Sequence, residues 1–345
     1  VAATAEILPT HTPALFRTAV ARAVELLKAG ELVALPTETV YGLAANAFEA
    51  AAVARIYEAK GRPAHNPIIV HVATPELARR CVAAWPDVAA RLARAFWPGP
   101  LTLVLPRSAE IPDVVTAGGP TVGVRWPAHP FMQEVIRACG FPLAAPSANR
   151  ANELSPTCAE HVRKSLGDRV RLIVDGGPCQ VGIESTVLDL TTSPPQVLRP
   201  GMIHEESLRA AAGMEVREPV VPGQCITGAA EPARSPGQLP KHYSPRARLA
   251  VLQWENDADL RRQLARRPGF RDEAAGCVLA HAHIPSPEGF ARVSVIPHDP
   301  EAFARALYAE LHRCDDLGAA WVVIEALPDG PEWRGIADRL ARASA

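Results

Sequence analysis

The chain has 345 residues, 48% of them hydrophobic and 21% charged, with a formal net charge of −1. That length exceeds one typical core, so two domains are expected, and the composition excludes a disordered chain. The balanced charge excludes nucleic-acid binding spread over the whole molecule, and no apolar run approaches the ~20 residues of a membrane-spanning helix.

Thr12 and Pro13 open TPALFRTAVARAVELLKAG, a helical pattern with a cap, a first-turn proline and a terminal Gly30. The strand LVALP follows at once. A helix near 50–59, the strand PIIVHV, helices within 75–95 and the strand LTLVLP come next. VGVRW, a helix near 129–139, PLAAPS, a helix near 157–166 and RLIVDGG continue the alternation. STVLDL and QVLRPG add two strands, and a helix near 204–212 closes the region. Strands interleaved with helices predict an α/β domain with a largely covered sheet over residues 1–215.

Residues 216–246 are rich in Pro and Gly without periodicity, which predicts a long linker carrying the polar cluster Lys241, His242 and Tyr243. Over 247–345 the alternation resumes with LAVLQW, a helix near 256–266, CVLAH, RVSVI, a helix near 300–313, WVVIEAL and a final helix. That pattern suits a smaller three-layer α/β, Rossmann-like domain. Seven cysteines are scattered from Cys81 to Cys314 with no C-x-x-C pair. Free thiols in a reducing, cytoplasmic compartment are expected, without a zinc site or disulfide framework. The opening VAATAEILPTHTP has no charged segment followed by an apolar run, so no secretory signal is expected.

Several segments set polar residues at strand ends, where open α/β sheets build ligand sites. In PTETVYGL, residues 36–43, Thr37 and Thr39 flank a carboxylate; the segment reads either as the cap of the next helix or as a ligand loop. KGRPAHNPIIVH, residues 60–71, places Lys60, Arg62, His65, Asn66 and His71 beside a strand, as a solvated loop or an anion-binding pair. Arg125 interrupts the strand GVRWP, and burying it requires an anion, supplied by the protein or by a ligand. PLAAPSANRANELSPT offers Pro146, Ser147, Asn149, Ser155, Pro156 and Thr157 as turn chemistry or as partners for phosphate and ribose oxygens. Glu184, Ser185 and Thr186 precede one strand, and Arg199 ends another.

Neither a Walker loop nor a dinucleotide fingerprint is present, and H-E-x-x-H and G-x-S-x-G are missing too. His65 and His71 stand six apart across a proline and make poor metal ligands. Arginines, a lysine, hydroxyls and amides without a nucleophile–base pair suit reactions governed by positioning and charge neutralisation. Nucleotidyl and phosphoryl transfer belong to that class.

Taken in order, PTETVYGL, KGRPAHNPIIVH, FWPGPLTLVL, TVGVRWPAH, PLAAPSAN, SPT, ESTVLDL and VLRPG resemble the motif series of the YrdC/Sua5 family. These are threonylcarbamoyl-AMP synthases, and the likeness runs over roughly residues 13–210. SPGQLPKHYSP and GIADRLARA resemble the extended, two-domain Sua5 type, with Gln238 where that linker motif commonly has an apolar residue. The resemblance implies a YrdC-like twisted mixed sheet with flanking helices. It implies a reaction in which L-threonine, bicarbonate (or CO2) and ATP, with Mg2+, give threonylcarbamoyl-AMP and pyrophosphate. Downstream transferases would pass the threonylcarbamoyl group to adenosine 37 of tRNA.

By motif, Lys60, Arg62, Ser147 and Asn149 fall on the family's catalytic and nucleotide-binding signature. Arg62, Asn66, Thr121, Ala145, Ser155, Arg199 and Tyr243 fall at positions associated with ATP, Tyr243 reaching in from the linker as part of a lid. Thr39, His71, Arg125, Ser147 and Ser185 fall at positions associated with threonine. His65 is expected to face solvent, and no membrane, structural metal or required tRNA contact is implied. Two other readings stay open: a non-catalytic RNA-binding module, and O- or S-carbamoyl transfer from carbamoyl phosphate.

Overall fold

The computed structural model of the chain describes residues 5–218, 243–270 and 272–344. They fall into two compact units. The first holds the residues up to 218 except 152–154; the second holds 152–154 and the residues from 243 onward.

The strands of the first unit are β1 (Glu6–Pro9), β2 (Val33–Leu35), β3 (Gly42–Asn46), β4 (Val70–His71) and β5 (Leu101–Pro106). They continue as β6 (Thr121–Arg125), β7 (Leu143–Ala144), β8 (Leu172–Asp175), β9 (Thr186–Asp189) and β10 (Gln196–Arg199). Between them lie helices α1 (Pro13–Lys28), α2 (Ala50–Lys60), α3 (Pro75–Cys81) and α4 (Asp87–Phe96). Helices α5 (Asp113–Thr116), α6 (Pro130–Cys139), α7 (Ala159–Leu166) and α8 (Glu205–Ala212) complete the unit. The strands form one mixed sheet in the order β1-β8-β2-β3-β7-β4-β6-β5-β9-β10. The expected mixed α/β architecture is therefore present.

Capping explains where the helices begin. Thr12 accepts from the Leu15 N–H at 3.2 Å ahead of Pro13, and Thr74 accepts from the Leu77 N–H at 3.2 Å ahead of Pro75. Residues 36–43 do not cap a helix, correcting one of their two sequence readings. They turn the chain back into β3, which pairs antiparallel with β2 through Val33↔Ala44 and Leu35↔Gly42. Gly42 allows a close approach there, because a Cβ would stand 3.2 Å from that of Ala145. The strands β1 and β3 and the short α5 were not anticipated by the hydrophobic pattern.

Period-two alternation separates two environments in this sheet. Ile68, Val70 and Val72 join the main core, as do Leu101, Leu103 and Leu105, Val122 and Val124, and Leu188. The intervening residues turn the other way, where Ile69, Val104 and Val187 make a small separate apolar cluster. His71, Thr102, Thr121, Arg125 and Ser185 are in phase with that second set. Across β4, β5, β6 and β9 one face therefore joins the main core and the other carries polar side chains, whereas consecutive residues of β2, β3, β7 and β8 all join the core.

The second unit contains β11 (Arg248–Leu252), α9 (Asp257–Ala265), β12 (Gly276–Ala280), β13 (Arg292–Val295), α10 (Pro300–Asp316), β14 (Trp321–Glu325) and α11 (Arg334–Ala343). Its four strands are parallel in the order β11-β14-β12-β13. Every residue of β12 and β14 is buried, as expected for central parallel strands covered on both faces. Trp254, Phe270, Phe290 and Trp321 are the large members of one core cluster. Asp299 and Asn256 cap α10 and α9 through the Ala302 and Asp259 N–H groups.

Candidate active site

The loop between β2 and β3 is organised by its own hydroxyls. Thr37 Oγ1 donates to the Val40 carbonyl at 2.6 Å and accepts from the Thr39 and Val40 N–H groups. Its single proton is thereby used, so at 2.9 Å the Thr39 hydroxyl is the donor to Thr37. Thr39 Oγ1 in turn accepts from Arg125 Nη1 at 2.9 Å. The order Arg125, Thr39, Thr37, Val40 is a directed chain of protons. From outside, the Val181 N–H bonds the Glu38 carbonyl at 2.7 Å and the Gly182 N–H bonds that of Thr39 at 3.2 Å.

Arg125 ends β6 and is almost wholly buried. Its Nε donates to the Gly99 carbonyl at 3.2 Å, and Nη2 pairs with Glu38 Oε1 at 2.6 Å. Together with the Thr39 bond, these use one N–H on each nitrogen and leave a second on each terminal nitrogen. Such a pair of donors suits a carboxylate. His71 lies next to Arg125 in the parallel β4–β6 register. Burial, reinforced by the Arg125 charge, pushes the His71 imidazole down to about 3, so it is neutral at physiological pH. Its Nδ1 finds no partner among the described residues.

Two further pairings extend the polar face. Arg199 Nε donates to the Ser185 carbonyl and Nη2 to Ser185 Oγ, both at 3.1 Å. Ser185 Oγ lies 2.8 Å from Thr102 Oγ1. Ser155 Oγ donates to Glu184 Oε1 at 2.5 Å in a fully buried contact. Arg199 and Thr102 thus fix Ser185, and Glu184, the residue before it, fixes Ser155.

The basic stretch joins this group through backbone oxygens. Lys60, at the end of α2, donates through Nζ to the Ser147 carbonyl at 2.5 Å and to that of Asn149. Arg62 Nε and Nη2 donate to the Asn66 and Pro67 carbonyls at 3.1 and 2.7 Å, folding the loop around the guanidinium. Tyr57 braces the same Asn66 carbonyl at 3.0 Å. Ala145 spends its N–H on the Ile69 carbonyl at 3.1 Å, and Ser147 bridges Gly42. These bonds connect residues 60–69, 145–149 and 36–43 into one assembly. The solvated-loop reading of Lys60 and Arg62 is overturned, since both are buried while His65 alone of that set is exposed.

Thr121 starts β6 and Arg125 ends it, on the same face and about 13 Å apart at ~3.3 Å per residue. A molecule touching both would lie along the strand. Tyr243 belongs to the second unit, where its ring stands 6.1 Å from Tyr308 and beneath the Arg339 guanidinium. Gln238, Lys241 and His242 lie outside the described residues. Sequence reasoning noted Glu38 and Glu184 without giving either a role, and missed Thr102. Thr102 was detectable as the polar residue at an alternate position of LTLVLP; Glu38 stood in a motif already chosen but was passed over as an anion in a site for anions.

Two other places gather charged side chains. A cleft of about 690 Å³ is lined by Glu31, Arg55, Glu58, Asp168, Arg169 and Arg171 among others. It opens at the starts of β2 and β8, the opposite end from Pro36–Glu38, and its charges pair with one another. In the second unit, Glu325 accepts from the N–H groups of His281, Ala282 and His283 and from His283 Nδ1. Desolvation opposes its charge, but these donors outweigh it and hold the carboxyl below its usual range. The carboxylate is saturated and serves as a staple for the loop after β12.

A family model described as "Telomere recombination" (Sua5, YciO, YrdC) matches residues 25–201. Another, described as "Threonylcarbamoyl-AMP synthase, C-terminal domain", matches residues 203–345. The threonylcarbamoyl-AMP synthase of Pyrococcus abyssi is 39% identical over 324 residues, 93% of each chain. That of Bacillus subtilis is 39% identical over 333 residues, 94% of this chain and 92% of its own. The crystal structure of P. abyssi Sua5 complexed with L-threonine matches with a TM-score of 0.87 at 36% identity, covering 98% of this chain and 97% of that one.

Proposed function

The chain belongs to the Sua5/YrdC family of threonylcarbamoyl-AMP synthases, and from that premise we propose how its residues share the reaction. L-Threonine, bicarbonate or CO2, and ATP give threonylcarbamoyl-AMP and pyrophosphate, the first step of threonylcarbamoyladenosine formation in tRNA. The observation that carries the assignment of roles is the polar sheet face, where Arg125 and His71 stand on neighbouring strands, Thr39 bonds Arg125 from the β2–β3 loop and Ser185 bonds Thr102 just ahead of β9.

In this reading Arg125 receives the threonine carboxylate on its two remaining N–H groups, with Thr39, His71, Ser147 and Ser185 around the rest of the amino acid. Arg62, Asn66, Thr121, Ala145, Ser155 and Arg199 line the nucleotide, which runs along β6 toward Thr121. Lys60, Arg62, Ser147 and Asn149 surround the reacting groups. The enzyme is then a nucleotidyltransferase. A carbamate oxygen of N-carboxythreonine attacks the α-phosphorus, and the bond from that phosphorus to the pyrophosphate oxygen breaks. No covalent enzyme intermediate is needed, so the protein's work is to hold two anions together.

Mg2+ would travel with ATP and spread the charge of its phosphates. Among the described residues no group of three or more His, Cys, Asp or Glu is placed to hold a metal, so no protein cage is proposed for it. Downstream transferases acting at position 37 of tRNA would consume the product. No helix among the described residues is long and apolar enough to cross a membrane, and we place the enzyme in the cytoplasm with its substrates. The test is pyrophosphate release from ATP and bicarbonate with and without L-threonine. Strong dependence on threonine is expected, and release indifferent to threonine, or none, overturns the assignment.

A further inference from the structure

A carboxylate is out of place in a site that must gather anions. ATP, the carbamate and the threonine carboxylate are all negative, and a buried acid beside them repels each one. Glu38, in the loop between β2 and β3, is nonetheless buried. Its Oε1 is taken by Arg125 Nη2 at 2.6 Å, while Oε2, equally buried, has no donor among the described residues. Burying a carboxylate oxygen without a donor is costly, so the arrangement calls for one.

The loop cannot supply it. The hydroxyls of Thr37 and Thr39 have committed their protons to Val40 and Thr37. Arg125 bonds Gly99 and Thr39 through Nε and Nη1, and none of its remaining N–H groups reaches Oε2. Cys179 is near enough to feel the Glu38 charge, yet its thiol is pushed far up by burial first and by Glu38 second, and it makes no hydrogen bond with that oxygen. His129, also within reach of the Glu38 field, has its ring shifted down by burial and uses Nδ1 to accept the Phe131 N–H.

We propose that Glu38 Oε2 receives the α-ammonium of the amino-acid substrate, so that Arg125 and Glu38 together read a zwitterion. The inference rests on the synthase reading and deepens it by naming the group that selects an amino acid over the corresponding hydroxy acid. A free amino acid at neutral pH carries a carboxylate and an ammonium on one carbon. Arg125 and Glu38 present the complementary charges 2.6 Å apart, with open valences on both. The arrangement also explains why the acid is kept. It costs repulsion toward the phosphates and returns discrimination for the one organic cation in the reaction.

The test uses the full-length protein in calorimetric titrations with EDTA present, so that no divalent cation can occupy the carboxylate. L-Threonine is compared with (R)-3-hydroxybutyrate, the same acid without its amine. The wild-type protein is expected to prefer threonine by at least about tenfold; equal binding overturns the proposal without any variant being made. In Glu38→Gln, threonine is expected to weaken about 10- to 100-fold while 3-hydroxybutyrate binds as before or tighter, because Arg125 has lost a competing anion. If both ligands weaken in parallel, Glu38 only props Arg125; if neither changes, water fills the place, and either result refutes the inference. Glu38→Asp, which keeps the charge, is expected to retain more of the preference than Gln; equal loss in both counts against it. Failure of wild-type protein to bind threonine at all would instead strike at the synthase reading itself.

Discussion

His71 and Arg125 lie side by side on neighbouring parallel strands, both turned to the polar face of the sheet, and the arginine helps to keep the imidazole neutral. The folded value, about 3, lies below the 6.5 of a free histidine. Between the two, the unfolded chain binds a proton at this residue that the folded protein excludes. Stability therefore falls as pH drops from about 6.5 toward 3, and this residue adds no slope above that window. His71→Gln should remove up to about 1.4 kcal/mol of that loss per pH unit. Urea midpoints at pH 7 and pH 5 measure it, and equal slopes in wild type and variant would contradict a buried neutral imidazole.

Arg125→Ala removes the guanidinium and leaves Glu38 buried without its partner. Apparent threonine affinity should weaken by about 2–5 kcal/mol, the cost of breaking a buried charge pair at a binding site. ATP affinity should change little. Calorimetry with each ligand separately decides whether Arg125 serves the amino acid or the nucleotide.

Lys60 holds the carbonyls of Ser147 and Asn149 from the end of α2. Lys60→Met takes a charged donor from both buried oxygens, although the Asn149 N–H still bonds that of Ser147, at about 1–3 kcal/mol of stability in urea unfolding. Activity should fall further than stability explains, by about 10²–10³-fold, because a preorganised donor is lost. A variant that is less stable but fully active would reduce Lys60 to a loop anchor.

Gly276 opens β12 directly beneath Trp321 of β14: a Cβ there would stand 1.9 Å from the indole. Gly276→Ala should displace the ring and cost about 3 kcal/mol by overpacking. Near-ultraviolet circular dichroism and thermal unfolding report it, and an unchanged indole signal would mean that the packing yields more easily than the geometry implies.

Much of this was legible in the chain. Alternation of strands and helices announced the architecture, and eight short motifs together pointed to the chemistry. PIIVHV shows why the motifs work: even-numbered apolar residues enter the core while Ile69 and His71 turn away. The antiparallel return through β3 was hidden because GLAAN is apolar at nearly every position and buried throughout, so it carries no strand period. Glu38 was hidden by its sign. Thr121 and Arg125 looked like neighbours in one short motif, and only the strand's extension sets them about 13 Å apart. The linker expectations over 219–242 fall outside the described residues.

The two-faced strands have a consequence for how such a protein can change. Core and polar face are written in the same few residues, interleaved one for one, so they share a single reading phase. An insertion of one residue within Ile68–Val72 would carry His71 into the hydrocarbon and bring core residues out onto the polar face. Strands like these can be edited letter by letter but hardly ever lengthened; new specificity has to be introduced through the loops that hang from their ends.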